Sequence, residues 1–354
     1  MTKREKVLVA MSGGLDSSFA AASLRDQGYA VTGAHFRLWK PGAESEAPSL
    51  SEESARQTAQ YLGIEFRVVD LRRRFREEVV EYFVNEYLAG RTPNPCALCN
   101  PRIKFKTLLE LADEISADFI ATGHYARVSF DAGNTEYHLL EAKDQNKDQS
   151  YFLAFLNRAI LRRIIFPLGE MAKSEVKKRG LEMKLPAAAN AESQDTCFAL
   201  DKNYAGIIES VKPEAKRPGD LVDLSGEKIG SHKGIYHYTI GQHRGLALNR
   251  EDWYVIAIDA RKNQVVVDQE PNLLHRKMQL AGLNRLSAFS LPLDCQVKIR
   301  YRSAKADARL EETADGMLVV SFAKPQRAIT PGQAAVFYRG ERVIAGAWIE
   351  KAFD

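Results

Sequence analysis

The feature that most limits how this chain can fold is the apolar run Val7–Met11, closed at once by Ser12-Gly13-Gly14-Leu15-Asp16-Ser17-Ser18. A short apolar run ended by a Gly turn predicts a buried parallel strand. The next residues predict a helix from about Asp16 to Gln27, with Gly28 fitting its C′ position. A Gly-rich turn between a strand and a helix N-terminus is suited to anions. The glycines let backbone N–H groups approach phosphate, and the helix end adds a favourable field. Hydroxyls of Ser12, Ser17 and Ser18 are candidate phosphate donors, and Asp16 is a candidate Mg²⁺ ligand. The loop carries no Lys, so it is not a Walker A loop. The plain alternative is a Gly turn with an Asp/Ser cap. Its position after the first strand, at the carboxyl end of a parallel sheet, argues against that.

The same alternation continues. Strands are predicted at Tyr29–Phe36, Phe66–Val69 and Asp118–Thr122, with Gly123-His124 closing the last. Helices are predicted from Glu52 to Leu62, stopped by Gly63, and from about Phe75 to Ala89, ending at Gly90. This is the pattern of an open, mostly parallel α/β sheet with helices on both faces. Two prolines and two asparagines in Arg91–Asn100 predict a defined loop and no helix. Residues 151–184 read as helical, with Gly180 as a break. Beyond about residue 205, Gly and Pro punctuate short alternating runs such as Val297–Tyr301 and Ala335–Tyr338, an all-β pattern. A chain of 354 residues exceeds one ordinary core. The expected division is a nucleotide-binding α/β domain at 1–205, a small β module at 206–274 and a β-barrel-like domain at 275–354. No apolar run approaches the length of a membrane span. The N-terminal run reads as a first strand and not a signal peptide, so a cytoplasmic location without membrane association is expected. The net charge of +4 is compatible with a nucleic-acid partner without requiring one.

Four cysteines in such a chain are no disulfide framework. Cys96-Ala97-Leu98-Cys99 can be a redox pair, half a zinc site or part of an iron–sulfur site. Cys197 sits in the polar stretch Glu192–Phe198, where taken alone a buried cysteine is the default. Cys295, in a β pattern, is expected only to pack.

Together these pieces resemble the tRNA-specific 2-thiouridylases (MnmA/TrmU type). Nine blocks carry the resemblance, in order: SGGLDSS (12–18), GRTPNPCALCNPRIKFK (90–106), IATGHYAR (120–127), NKDQSYFL (146–153), FPLGEMAKSEV (166–176), ESQDTCF (192–198), KIGSHKGIYHYTIGQHRGL (228–246), KIRYRS (298–303) and TPGQAAVFY (330–338). The resemblance implies ATP on Met11, Ser12, Gly13, Gly14, Asp16, Ser17 and Ser18, with the backbone of Phe36 and Gly123 about the adenosine. It implies Cys99 as nucleophile and Cys197 as persulfide carrier, with Cys96 beside them. It implies tRNA contacts at Asn94, Pro95, His124, Lys147, Asp148, Gln149, Arg300, Tyr301 and Gln333. Three positions depart from the family pattern: Cys96 stands where many members carry Asp, Phe36 where Met is frequent, and His243 where the block often has Arg.

The implied reaction is ATP-dependent 2-thiolation of a tRNA uridine at the wobble position. ATP would be split to AMP and pyrophosphate, with sulfur from a persulfide-delivering protein or inorganic sulfide. The chemistry is coherent. Replacing a carbonyl oxygen by sulfur needs a leaving group, which adenylation supplies, and a soft nucleophile. One cysteine then brings sulfur and another resolves the intermediate. Both must ionise, which Lys104 or a helix N-terminus would favour. A [4Fe–4S] cluster on Cys96, Cys99 and Cys197 is the competing arrangement. Rival functions are an amidating synthetase with the same loop, which needs no cysteine trio, and an inactive tRNA-binding protein, against which the intact loop and cysteines speak.

Overall fold

The computed structural model describes residues 4–42, 47–189, 197–198, 203–246, 248 and 252–354. These form two compact units, the first Met1–Arg76, Cys96–Phe198 and Glu341–Ile344, the second Glu77–Pro95, Ala199–Gly340 and Ala345–Asp354.

In the first unit, β1 (Lys6–Ala10), β2 (Ala30–Arg37), β3 (Glu65–Asp70), β4 (Phe119–Ala121) and β7 (Ile164–Ile165) make a parallel sheet ordered β3-β2-β1-β4-β7. A hairpin of β5 (Arg127–Asp131) and β6 (Glu136–Leu140) lies between β4 and β7 in sequence, and β6 pairs with Arg342 and Val343. Side chains alternate along a strand, and β1 uses both directions. Val7 and Val9 join the core formed with Phe19, Ala20 and Leu24 of the helix Leu15–Asp26. Leu8, pointing the other way, is equally buried, and the helix Lys106–Glu114 packs against β1 and β4. Both faces are therefore covered, as an all-parallel sheet requires. The strand order reverses direction beside β1, so the loops after β1 and β4 flank the switch point of the sheet.

Three local expectations fail: the loop at 91–100, the break at Gly180 and the helical reading of most of 151–184. Pro95–Cys99 is helical, within the stretch expected to be a loop. Pro95 is its first residue, where a missing N–H costs nothing and the fixed φ suits the helix. Gly180 does not break a helix; it lies inside Lys173–Glu182. A Cβ there would come 2.6 Å from Leu15 Cδ1, so the glycine lets this helix seat against the first one. The rest of 151–184 is two 3₁₀ turns, Ser150–Leu153 and Arg158–Arg163, and β7. The predicted helix over 75–89 is present in pieces, with a π-helical turn at Arg76–Val80 leading into the helix Glu81–Leu88.

The second unit holds two β structures. β8 (Gly219–Val222), β9 (Lys228–His232), β10 (Trp253–Asp259) and β11 (Gln264–Gln269) form a sheet ordered β10-β11-β8-β9 around Leu221, Val255, Val265 and Val267. β12 (Leu274–Arg285), β13 (Leu293–Lys298), β14 (Ala306–Glu312), β15 (Leu318–Arg327), β16 (Ala334–Arg339) and β17 (Arg342–Phe353) run in the order β12-β15-β14-β13-β16-β17. Pairing of β12 with β17 closes these six strands into an antiparallel barrel, leaving no edge to aggregate.

Filling the Gly180 gap tests the seating of the two helices. Gly180→Val should destabilise the protein by about 1–3 kcal/mol through overpacking. Thermal unfolding should also show that adding Leu15→Ala recovers part of the loss. Independent, additive losses would mean that the two residues are not in contact.

Candidate active site

The loop after β1 is built by its own hydroxyls. Ser17 Oγ donates to the Gly14 carbonyl (3.0 Å) and accepts from the Ser12 N–H (3.0 Å), and the Ser12 and Ser17 hydroxyls lie 3.1 Å apart. Ser54 Oγ donates to the Gly13 carbonyl at 2.9 Å. Gly13 has φ +85, and a Cβ there would lie 2.1 Å from the Ser51 carbonyl oxygen, so glycine is required twice over. Gly123, after β4, is equally confined: its Cβ would come 2.8 Å from Ser17 N and 2.9 Å from Asp16 C. The two loops at the switch point thus touch backbone to backbone. Met11 is buried, and its carbonyl bonds His35 Nδ1 at 2.8 Å. Ser18 is fully buried, with its hydroxyl on Thr58 Oγ1 at 3.4 Å, so as placed it supports the loop from beneath. Phe36 sits half-buried in β2, in register with Val69.

Asp16, in the first turn of the helix, is engaged. Lys173 Nζ lies 2.6 and 2.7 Å from its two oxygens, and Tyr125 Oη donates to Oδ1 at 2.9 Å. A single carboxylate suits a Mg²⁺ held mainly by phosphates and water, so Asp16 fits that ion's needs.

The cysteines lie on the next elements. Cys96 and Cys99 are three positions apart on one helical turn and so share a face. The chain then widens into the π-helical segment Asn100–Phe105. Such turns bond i to i+5 and recur at functional sites. Lys104 follows Cys99 by five positions and lies within electrostatic reach of the cysteines. Burial disfavours its ammonium, but Cys99, Cys197 and Cys96 outweigh that and hold its pKa above the ordinary lysine value. Burial pushes the Cys96 thiol to about 11, with Lys104 opposing. Cys197 is exposed as a residue, yet its thiol lies among enough protein for burial to raise its pKa, against the pull of Lys104 and then Lys40. Phe198, beside it, is buried edge-on to Phe75 with ring centroids 5.5 Å apart, which anchors this end of the segment. The Glu192–Thr196 part of its block lies outside the described residues. Among the described residues no three His, Cys, Asp or Glu side chains gather as a metal site.

Residues 5–201 match the model described as tRNA methyl transferase HUP domain, 209–269 its PRC-barrel domain and 269–349 the aminomethyltransferase beta-barrel domain. The chain is 43% identical over 98% of its length to a tRNA-specific 2-thiouridylase MnmA of Syntrophotalea carbinolica, covering 99% of that protein. It is 41% identical to the protein of that name from Pelotomaculum thermopropionicum, with 99% of each chain covered. It is 43% identical to that from Chloroflexus aggregans, with 98% of each covered. The chain belongs to the tRNA-specific 2-thiouridylase family.

Other positions marked by the 2-thiouridylase resemblance fall into two groups. Some shape loops. Asp148 is buried, and its carboxylate accepts from Ala142 N (2.9 Å), Ser150 N (3.2 Å) and Ser150 Oγ (2.9 Å). Gln149 clasps Tyr125 through two bonds, its Oε1 accepting from Tyr125 N and its own N–H donating to Tyr125 O. Gln333 Nε2 donates to the carbonyls of Thr92 and Pro93, just before the buried Asn94 and Pro95. Others present surface. Lys147 is half-buried, Arg300 is exposed in the turn after β13, and Tyr301 follows it half-buried. Cys295 stands in β13 opposite Ala308, away from the other cysteines in sequence and in a different unit. Tyr125 and Lys173 are not singled out by sequence reasoning, although both lie within blocks that carry the resemblance, and no local pattern ties either to Asp16.

His124 follows Gly123, with Nδ1 2.7 Å from Thr122 Oγ1 and its ring between Phe105 and Phe166. Burial, with Lys104 second, lowers its pKa from 6.5 to about 3. Protonation thus favours the unfolded chain. The contribution of His124 to stability is complete above about pH 6.5 and is lost as pH falls toward 3. In an NMR titration its imidazole signals should stay constant between pH 8 and about pH 5. A midpoint near that of free imidazole would contradict the arrangement.

Proposed function

We propose that this chain catalyses ATP-dependent 2-thiolation of a tRNA uridine at the wobble position. The observation that carries the reading is that one unit holds both the Ser12–Ser18 loop at the switch point of the sheet and Lys104 with Cys96, Cys99 and Cys197 about it. Membership of the 2-thiouridylase family supports it, as does the activity for which the relatives are named.

ATP binds with its phosphates on the backbone N–H groups of Gly13 and Gly14 and its adenosine beside Phe36 and Gly123. Asp16 would hold Mg²⁺, which would supply positive charge against the phosphates. The uridine O2 attacks the α-phosphorus, and pyrophosphate leaves. The terminal sulfur of a Cys197 persulfide, loaded by a persulfide-carrying protein, then attacks C2. AMP departs with the former O2. Cys99 attacks Cys197 Sγ, so the S–S bond breaks and the 2-thiouridine sulfur leaves as thiolate. A Cys99–Cys197 disulfide remains, and an external dithiol returns both thiols. Lys104 holds the attacking thiolates. Cys96, with its raised pKa, is a thiol at neutral pH and a candidate proton donor where relatives often carry Asp.

Lys147, Arg300 and Tyr301, half-buried or exposed, would meet tRNA. Asp148, Gln149 and Gln333 serve by holding the loops that present Lys147, His124, Asn94 and Pro95. Affinity for tRNA should fall with salt, each phosphate contact adding about 0.7–0.9 to the log–log slope. A salt-independent affinity would argue against a nucleic-acid substrate.

The cysteine chemistry has its own test. Cys99→Ser should stall with tRNA joined to Cys197 through a disulfide that dithiothreitol releases, and Cys197→Ser should form no adduct. Gel shifts of labelled tRNA read both. Full turnover by either variant would overturn the mechanism.

A further inference from the structure

The phosphate loop poses a problem of charge. ATP carries several negative charges, and more collects on the leaving pyrophosphate as the α–β bond breaks, yet Ser12–Ser18 holds no cation and includes a carboxylate. Backbone N–H groups offer only partial charge. The ammonium nearest that carboxylate is Lys173, 157 positions away in sequence and bonded to both Asp16 oxygens at 2.6 and 2.7 Å. Both partners are partly buried: the Lys173 and Asp16 side chains are 16% and 28% exposed.

We propose that Lys173 is a phosphate-binding residue stored on Asp16, which passes to the β- and γ-phosphate oxygens of ATP when Asp16 takes Mg²⁺. The role rests on the ATP site proposed above. Three features support it. Lys173 opens the helix Lys173–Glu182, and its backbone N–H donates to Asp144 Oδ2 at 2.9 Å, which fixes the start of its stem. The same helix sits on the loop's own helix through Gly180 and Leu15, so the two charges are held by elements in direct contact. Tyr125 completes the arrangement, donating to Asp16 Oδ1 at 2.9 Å while its ring lies 5.9 Å from the ammonium. Gln149, bonded to the Tyr125 backbone, and Gly123, two residues before it, tie it to the same loop system. A lysine stem can swing its ammonium by a few ångströms about such an anchor, and an ammonium on phosphate needs no fixed fork geometry. Storage on Asp16 also accounts for a half-buried ion pair that surface electrostatics alone gives little reason to keep.

Isothermal titration of the full chain tests this with ATP and AMP, each with Mg²⁺ and with EDTA. Lys173→Met keeps the length of the stem without its charge. It should weaken ATP roughly 10- to 100-fold, the range expected for losing a bond to a charged group, while AMP changes less than about twofold. Lys173→Arg should recover part of the ATP loss. Asp16→Asn should tighten ATP severalfold in EDTA by releasing the lysine. Circular dichroism and Tm confirm that each variant is folded. An unchanged ATP affinity in Lys173→Met, or equal losses of ATP and AMP, would overturn the phosphate role. A weaker ATP affinity for Asp16→Asn in EDTA would overturn the storage. If the unaltered protein bound no ATP, the proposed function itself would fail, which is a separate outcome.

Discussion

The backbone contact between the loops after β1 and β4 is the constraint on which the rest of the first unit depends. Gly123 lies against Asp16 and Ser17 with no room for a Cβ, and Gly13 lies equally close to Ser51. Only glycine allows such approach, and a Gly-rich loop at a helix N-terminus is suited to an anion. Everything chemical then hangs from the two loops. Asp16 leads to Lys173 and Tyr125. His124, next to Gly123, leads to Phe105 and so to the π-helical segment that carries Lys104.

Electrostatics divides the site by function. Asp16 and Lys173 neutralise each other where phosphate would bring negative charge and Mg²⁺ positive. Around Lys104 the logic is different. Burial raises the Cys96 and Cys197 thiols; Lys104 opposes it at both, joined by Lys40 at Cys197. The Lys104 ammonium helps to keep His124 uncharged, so the imidazole offers hydrogen bonding without charge.

Much of this is legible from residues alone. The first strand, the Gly loop and its helix, the parallel sheet and the later all-β texture all follow from periodicity and punctuation, and the closed barrel of β12–β17 agrees with the barrel expected there. The failures are local and physical. Pro95 reads as a helix breaker, although proline at a first helical position is a starter. Gly180 reads as a break because its real partner, Leu15, is remote in sequence. The Asp16–Lys173 pair leaves no trace in spacing, since two elements far apart in the chain create it. The π-helical turn after Cys99 is likewise a tertiary outcome, with no signature that propensity would reveal.

The central claim is that ATP activates the base oxygen itself. It is tested most directly by following that oxygen. A tRNA carrying ¹⁸O at C2 of its wobble uridine, incubated with the protein, ATP, Mg²⁺ and a persulfide donor, should yield 2-thiouridine and AMP in equal amounts. The label should appear in the phosphate of AMP by mass spectrometry. Label released to water or inorganic phosphate, or ADP formed in step with the thionucleoside, would contradict the account.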